Sequence, residues 1–386
     1  MKKLTRNPFK FGDPVEGDYY LPREDLSRLV SNFLENRINV VLIGPRRFGK
    51  TSFVLNLLKN FEKHSFSTLF VDIFNITSHR DFFHQMLRSL HSKQTWIDHL
   101  KKIGKSLVKV RPKFTSDFDE ITGQPALGLS FDTSDEKEIK EKIQDLLADL
   151  ESLGKRVVIA IDEFQKITEI DDQGWLEATL RTHMQQMQHT SFLFTGSRRT
   201  IIYDMLNNPA RPFYRSCQHL EFPAFGQEFT DWIVGRFQEV GINCDKNAID
   251  RLRELVWDTP NYVQMVCFHL VAEGKTHISL SEVNTTLTRV VLQNAYAYQT
   301  LLTSLSLTQQ RALRLAANEG KQMYSKELLA KYEISSAPAL ASAIKALKTK
   351  GILDEEGTGK GTVIFDDPLF AIWLRVAFGN LSLCGN

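Results

Sequence analysis

Apolar residues follow two rhythms that alternate along the first half of this chain. Short, nearly unbroken apolar runs occupy residues 38–43, 67–74, 157–161, 191–195 and 219–222. Runs of that length, rich in Val, Ile and Phe, read as strands buried on both faces of a parallel sheet. Between them, apolar residues return at every third or fourth position. Leu26, Leu29, Val30, Phe33 and Leu34 do so before the first run, and Phe53, Val54, Leu57, Leu58 and Phe61 do so after it. Such spacing lays one apolar stripe along a helix. Similar helical patterns cover residues 80–92 and 135–150. Pro22, Glu24 and Asp25 open the first helix, where a fixed φ and negative charge suit an N-terminus. Five strands alternating with helices predict a three-layer α/β domain on a parallel sheet.

Three stretches leave this rhythm. Residues 105–132 hold two alternating segments on either side of Thr122, Gly123, Gln124 and Pro125, which predicts a β-hairpin insertion. From Gly226 to about residue 297 every apolar period is helical, with a break at Thr259-Pro260-Asn261-Tyr262; a small helical lid is the expectation. After residue 300, three short helical patterns precede two apolar runs around a glycine-rich turn, residues 357–361. Three helices and a hairpin make a winged helix. The expected division is thus a sheet domain over 1–224, a lid over 225–299 and a winged helix over 300–386.

Composition narrows the function classes. A chain of 386 residues is long enough for two or three cores. Its 48 basic and 46 acidic residues leave a formal charge of +2, so no global field draws it to nucleic acid or membrane. No apolar run reaches membrane-spanning length, and no apolar segment follows the basic start Met1-Lys2-Lys3. Cys217, Cys244, Cys267 and Cys384 lack any C-x-x-C pair, so reduced thiols in a cytoplasm are expected rather than zinc or disulfides.

The most informative chemistry follows the first strand. Gly44-Pro45-Arg46-Arg47-Phe48-Gly49-Lys50-Thr51, with Ser52 next, matches G-x-x-x-x-G-K-[ST] between a strand and a helix. Gly44 and Gly49 are read as positions whose backbone angles are closed to other residues. Their freedom lets consecutive N–H groups turn inward and, with the helix N-terminus, cradle nucleotide phosphates. Lys50 adds a full positive charge there, and the Thr51 hydroxyl is suited to Mg²⁺. Arg46 and Arg47 are extra loop charges, readable as phosphate contacts or as solvated arginines.

Asp162 and Glu163 end the run 157–161, so two carboxylates stand at the C-terminal edge of a strand, where open parallel sheets bind ligands. Asp162 would hold Mg²⁺ and Glu163 would orient or deprotonate an attacking water, which points to hydrolysis. The next strand ends in Thr195, Gly196, Ser197 and Arg198. Thr195, Ser197 and Arg198 are candidates for contact with the γ-phosphate or the water. Arg211 and Arg215, in the segment before the last strand, are candidates for an arginine finger supplied to a neighbouring subunit.

Together these motifs resemble the prokaryotic STAND-class ATPases within the AAA+-like P-loop proteins, and most closely the short archaeal-type or MNS-clade members. The resemblance rests on residues 44–51, Ile161-Asp162-Glu163-Phe164-Gln165, Phe194-Thr195-Gly196-Ser197, residues 211–215, residues 259–264 and the closing residues 367–375. It implies ATP and Mg²⁺ as cofactors and a switch cycle in which ATP binding moves lid and winged helix and hydrolysis resets them. It further implies that Leu21, Pro22 and Arg23 lie over the adenine and that Pro260 packs near the base or ribose. Asp258 stands where that pattern carries glycine. Signalling or defence through a separate protein partner is the expected setting, with a homo-oligomer as a further partner and no membrane role. The alternative is an ATP-dependent DNA-binding regulator or loader. Lys345, Lys348, Lys350 and Lys360 favour it, while Asp354, Glu355, Glu356, Asp366 and Asp367 oppose it.

Overall fold

The computed structural model describes residues 6–92, 113–118, 125–130, 135–170, 174–319, 323–355 and 363–378. The chain forms two compact units. One comprises Pro22–Gly44 and Lys50–Phe222; the other comprises Met1–Leu21, Pro45–Gly49 and Pro223–Asn386.

The first unit is a five-stranded parallel sheet. Its strands are β1 (Val40–Ile43), β2 (Ser67–Asp72), β5 (Val157–Asp162), β6 (Thr190–Gly196) and β7 (Gln218–Glu221), and a separate antiparallel hairpin joins β3 (Lys113–Phe118) to β4 (Pro125–Ser130). The sheet order is β2-β5-β6-β1-β7. All of β1, β5 and β6 is buried, as expected for strands covered on both faces by crossover helices. The edge strand β7 is mostly exposed. Helices Glu24–Glu35, Lys50–Lys63, His79–His91, Glu136–Ser152, Trp175–Gln186 and Arg199–Asn207 supply the layers. Of the turns expected in the sequence, residues 122–124 of the insertion and 357–361 of the wing, with Lys360, lie outside the described residues, as does Cys384.

β6 runs between β1 and β5, pairing Val41 with Phe194 on one side and Ile161 with Phe194 on the other. Phe194 therefore sits at the middle of the sheet. Its ring lies 4.2 Å from that of Phe164 and 5.5 Å from that of Phe213, and all three are fully buried. This cluster fixes the residues just past β5 and those before β7 against one face of the sheet.

The second unit is helical. Its first helices are Gln227–Glu239, Lys246–Leu255, Pro260–Ala272 and Leu280–Gln293, with a two-residue parallel pairing of β8 (Asn243–Cys244) and β9 (His277–Ile278). Leu307–Glu319, Lys326–Lys331 and Ala337–Thr349 follow, then the antiparallel pair β10 (Leu353–Glu355) and β11 (Val363–Phe365), then Pro368–Ala377. Ser325 and Ser336 cap the second and third of these helices through their hydroxyls. Two observations differ from the division expected in the sequence. Lid and winged-helix residues share one apolar core, and Tyr298 in the connecting helix lies 5.2 Å from the Phe370 ring. Residues 6–21 pack in this unit rather than with the sheet, because Phe9 is buried 4.7 Å from Phe237 and Asn7 donates to the Phe268 carbonyl.

Cys217, Cys244 and Cys267 are unpaired thiols, and burial pushes the first two up to about 12, which favours the neutral thiol over the thiolate. No helix among the described residues is long and apolar enough to cross a membrane. Phe213→Ala should destabilise the sheet unit by about 3–5 kcal/mol, seen as a lower denaturant midpoint in its unfolding transition.

Candidate functional site

β5 delivers a carboxylate to the sheet's C-terminal edge, and the neighbouring elements close around it. Asp162 is buried, and both of its oxygens are engaged. The Thr51 hydroxyl donates to Oδ2 at 2.5 Å, the Thr195 hydroxyl donates to Oδ1, and the Glu163 N–H donates to Oδ1 at 3.1 Å. Thr51 belongs to the first turn of the helix that follows the loop, and Thr195 to β6. The expected metal ligands Thr51 and Asp162 are thus in direct contact. Among the described residues no cluster of three or more His, Cys, Asp or Glu side chains could hold a metal. A hydroxyl beside one carboxylate fits Mg²⁺, which keeps most of its water and takes remaining ligands from substrate phosphates.

The Lys50 side chain is buried, and Nζ donates to the Gly44 carbonyl at 2.8 Å, across the span of the loop. Gly49 has φ +90°, the left-handed region that a side chain resists. Gly44 is needed for another reason than the one read from the sequence. Its φ is not positive, but a Cβ there would come within 2.7 Å of Phe222 Cβ. Arg47 also adopts positive φ, 61°, a strained angle for a residue with a side chain. Pro45–Gly49 pack in the helical unit. There Arg46 stands 3.5 Å from Asp366, Arg47 stands 3.8 Å from Asp367, and the Arg47 guanidinium lies over the Tyr262 ring. Burial raises both aspartates above the usual carboxylate range, and the two arginines oppose that shift. Phe48 is half-buried and Ser52 is buried.

Glu163 follows Asp162 in a left-handed conformation, φ 56° and ψ 42°, so the chain reverses at the carboxylate. The Ser197 hydroxyl donates to its Oε2 at 2.8 Å, and the Gln165 amide donates to the same oxygen. Glu163 and Ser197, two candidates from separate strands, therefore meet. Arg198 turns instead to Glu169 at 3.2 Å.

The other candidates lie elsewhere. Arg211 grips Glu177, whose side chain is only 4% exposed, at 2.6 Å, and reaches Asp204 at 3.3 Å. That gives Arg211 a structural task within its own chain, which no sequence motif announced. Arg215 is exposed, with its guanidinium over Tyr214. Leu21 packs on the core of the helical unit. Pro22 leads into the first helix, and Arg23 is buried with its guanidinium 4.4 Å from the Phe222 ring centroid. Pro260 is buried at the start of its helix. Asp258, with φ 52°, adopts the angle that a glycine would take freely, and Arg253 Nε holds its carboxylate at 2.6 Å.

Sequence reasoning missed one carboxylate. Asp72 ends β2 directly beside Asp162 in register. Burial, then the charges of Asp162 and Glu163, push its carboxyl up, against a hydrogen bond from the Phe74 N–H. A signal was available, since Phe70-Val71-Asp72 repeats the apolar-then-acid ending of Ala160-Ile161-Asp162.

Comparison with known proteins bears on the family and the fold. Residues 23–259 match the model of an ATPase domain predominantly from Archaea, and residues 296–376 match a probable winged helix domain. No curated protein matches in sequence. The Walker-type ATPase of Pyrococcus abyssi is similar in fold, with TM-score 0.59 and 20% identity over 93% of this chain and 97% of that one. ORC2 of Aeropyrum pernix, solved in ADPNP–ADP complexes, gives 0.52 and 15% over 94% and 98%. ORC1 of the same organism, solved in complex with DNA, gives 0.50 and 14% over 93% and 94%. At these identities the likeness is one of fold.

Replacing Lys50 by Ala should weaken nucleotide binding about 10- to 100-fold, the worth of a charge-assisted contact, as read by titration calorimetry with ADP and with ATP.

Proposed function

The chain belongs to the family of ATPase domains found predominantly in Archaea, with a winged helix domain behind it, and from that premise we propose that it is a nucleotide-driven switch. ATP is the substrate, and water attacks its γ-phosphate to give ADP and phosphate. Lys50 and the loop N–H groups from Arg46 to Thr51 hold the phosphates, the Gly44 N–H being donated to the Gly196 carbonyl. Thr51 and Asp162 hold Mg²⁺, which offsets phosphate charge when bound. Glu163 takes the proton of the attacking water, and Ser197 orients that carboxylate. The observation that carries this reading is the contact of Thr51 with Asp162, with Glu163 one residue further along. It supports a metal ligand and a base side by side at one sheet edge, beside Lys50.

Leu21, Pro22, Arg23 and Pro260 are the proposed adenine contacts. A second copy of the chain would reach the phosphates with the exposed Arg215 rather than with Arg211, which is held by Glu177 and Asp204. The unpaired thiols support work in a reducing compartment, the cytoplasm.

We place the output on a separate protein partner, in signalling or defence. In the helical unit Leu292, Tyr296 and Leu307 are 51%, 87% and 61% exposed around one short helix, which supports contact with protein. The third helix of the winged domain opens with Ala337, Pro338, Ala339, Leu340, Ala341 and Ser342, none of which offers the bidentate donors that read base edges. The fold likeness to ORC1, itself solved with DNA, keeps duplex binding as the second reading.

Two measurements follow. Glu163→Gln should keep nucleotide affinity and lower steady-state ATP turnover by about 10²- to 10⁴-fold. Normal turnover by that variant would remove the assigned base. For the second reading, affinity for a random duplex at low salt, falling steeply as salt rises, would favour DNA over a protein partner. No binding at low salt is the expected result.

A further inference from the structure

Gln165 has no assigned task, yet the surrounding residues are arranged around it. It sits in the single 3₁₀ turn that follows Glu163 and is 1% exposed. Its Nε2 donates to Glu163 Oε2 and faces Ser197 Oγ at 3.5 Å. The opposite end, Oε1, is buried without a hydrogen-bond partner. A Cβ on Gly196 would collide with that end and with Ile202 Cδ1. Rotating the amide by half a turn would aim a carbonyl oxygen at a carboxylate, so the neighbouring charge sets its orientation.

A buried carbonyl oxygen without a partner costs about 1–3 kcal/mol. An apolar side chain of similar length would avoid that cost, so stability does not explain this amide. What the amide does supply is a second donor to the oxygen that already accepts from Ser197. Two donors on Oε2 fix the rotation of the carboxylate and leave Oε1 as the oxygen to meet a water.

We infer that Gln165 is a positioning residue for hydrolysis, holding the Glu163 carboxylate in one orientation together with Ser197. This rests on Glu163 being the base. Gln165→Leu should lower single-turnover hydrolysis of ATP at least about tenfold, while the ADP dissociation constant stays within about twofold. Its melting temperature should be equal or higher, because the orphaned carbonyl is gone. In a Glu163→Gln background, Gln165→Leu should produce no further loss, since its effect passes through that carboxylate.

Ser197→Ala, which removes the other donor, should show the same non-additivity. Unchanged hydrolysis by Gln165→Leu, or losses that add in the double variant, would overturn the inference. Gln165→Met serves if the leucine variant does not fold, and failure of both to fold would make the amide structural, also overturning it. If Glu163→Gln alone hydrolyses ATP normally, the assignment of the base fails instead, so the two failures are distinguishable.

Discussion

The site depends on one carboxylate that is satisfied from three directions. Asp162 receives the Thr51 hydroxyl, the Thr195 hydroxyl and the Glu163 N–H. A buried carboxylate without donors would be severely destabilising, whereas charge-assisted bonds of this kind contribute about 1.5–3 kcal/mol each. Because β6 separates β1 from β5, the helix that leaves the β1 loop cannot meet the end of β5 through strand pairing. Asp162 makes that connection with side chains. The hydroxyl and carboxylate that suit a hydrated Mg²⁺ are therefore held together by the same bonds that order the sheet's edge.

What could be read from the sequence was whatever is contiguous in it. The strand, loop and helix around Lys50 form one continuous segment, and so do the apolar run and acids at residues 157–163. Their composition and spacing carry their chemistry. Contacts between such segments were harder to see. Thr195 was recognisable only as one of three polar residues at a strand end, and its bond to Asp162 needs the strand order. Asp72 left a sequence signal, an acid closing an apolar run, but its nearness to Asp162 depends on β2 and β5 being neighbours in register. Arg211 looked like a free cation in a loop; only the fold brings the buried Glu177 to it.

The same reasoning explains why the elements were legible and their grouping was not. An apolar stripe states that a helix is covered on one side, without naming the cover. Phe9 lies in a polar, proline-bearing stretch ahead of the first helix, so proximity in sequence assigned it to the sheet. Burial against Phe237 places it in the helical unit. Tyr298 gave no sign that lid and winged helix share a core. Its ring meets Phe370, and its hydroxyl donates to Asp367 Oδ2, the same oxygen that faces Arg47. Local periodicity is a property of one segment, whereas a core is a property of several.

Local rules are broken most densely around Glu163. A glutamate takes a left-handed backbone angle, a glutamine buries an unpartnered carbonyl oxygen, and a glycine gives up the Cβ that would collide with it. Each departure alone is a modest cost of folding. The glycine answers to packing as well, since a Cβ there would also collide with Ile202, but ordinary residues at 163 and 165 would avoid the other two departures. Strain of this kind persists where the surrounding structure over-determines it, and such places are enriched in working sites. The aromatic cluster of Phe164, Phe194 and Phe213 provides that surrounding structure. It anchors the residue between Glu163 and Gln165 and the strand that carries Thr195, so the polar edge is aimed by an apolar support directly beneath it.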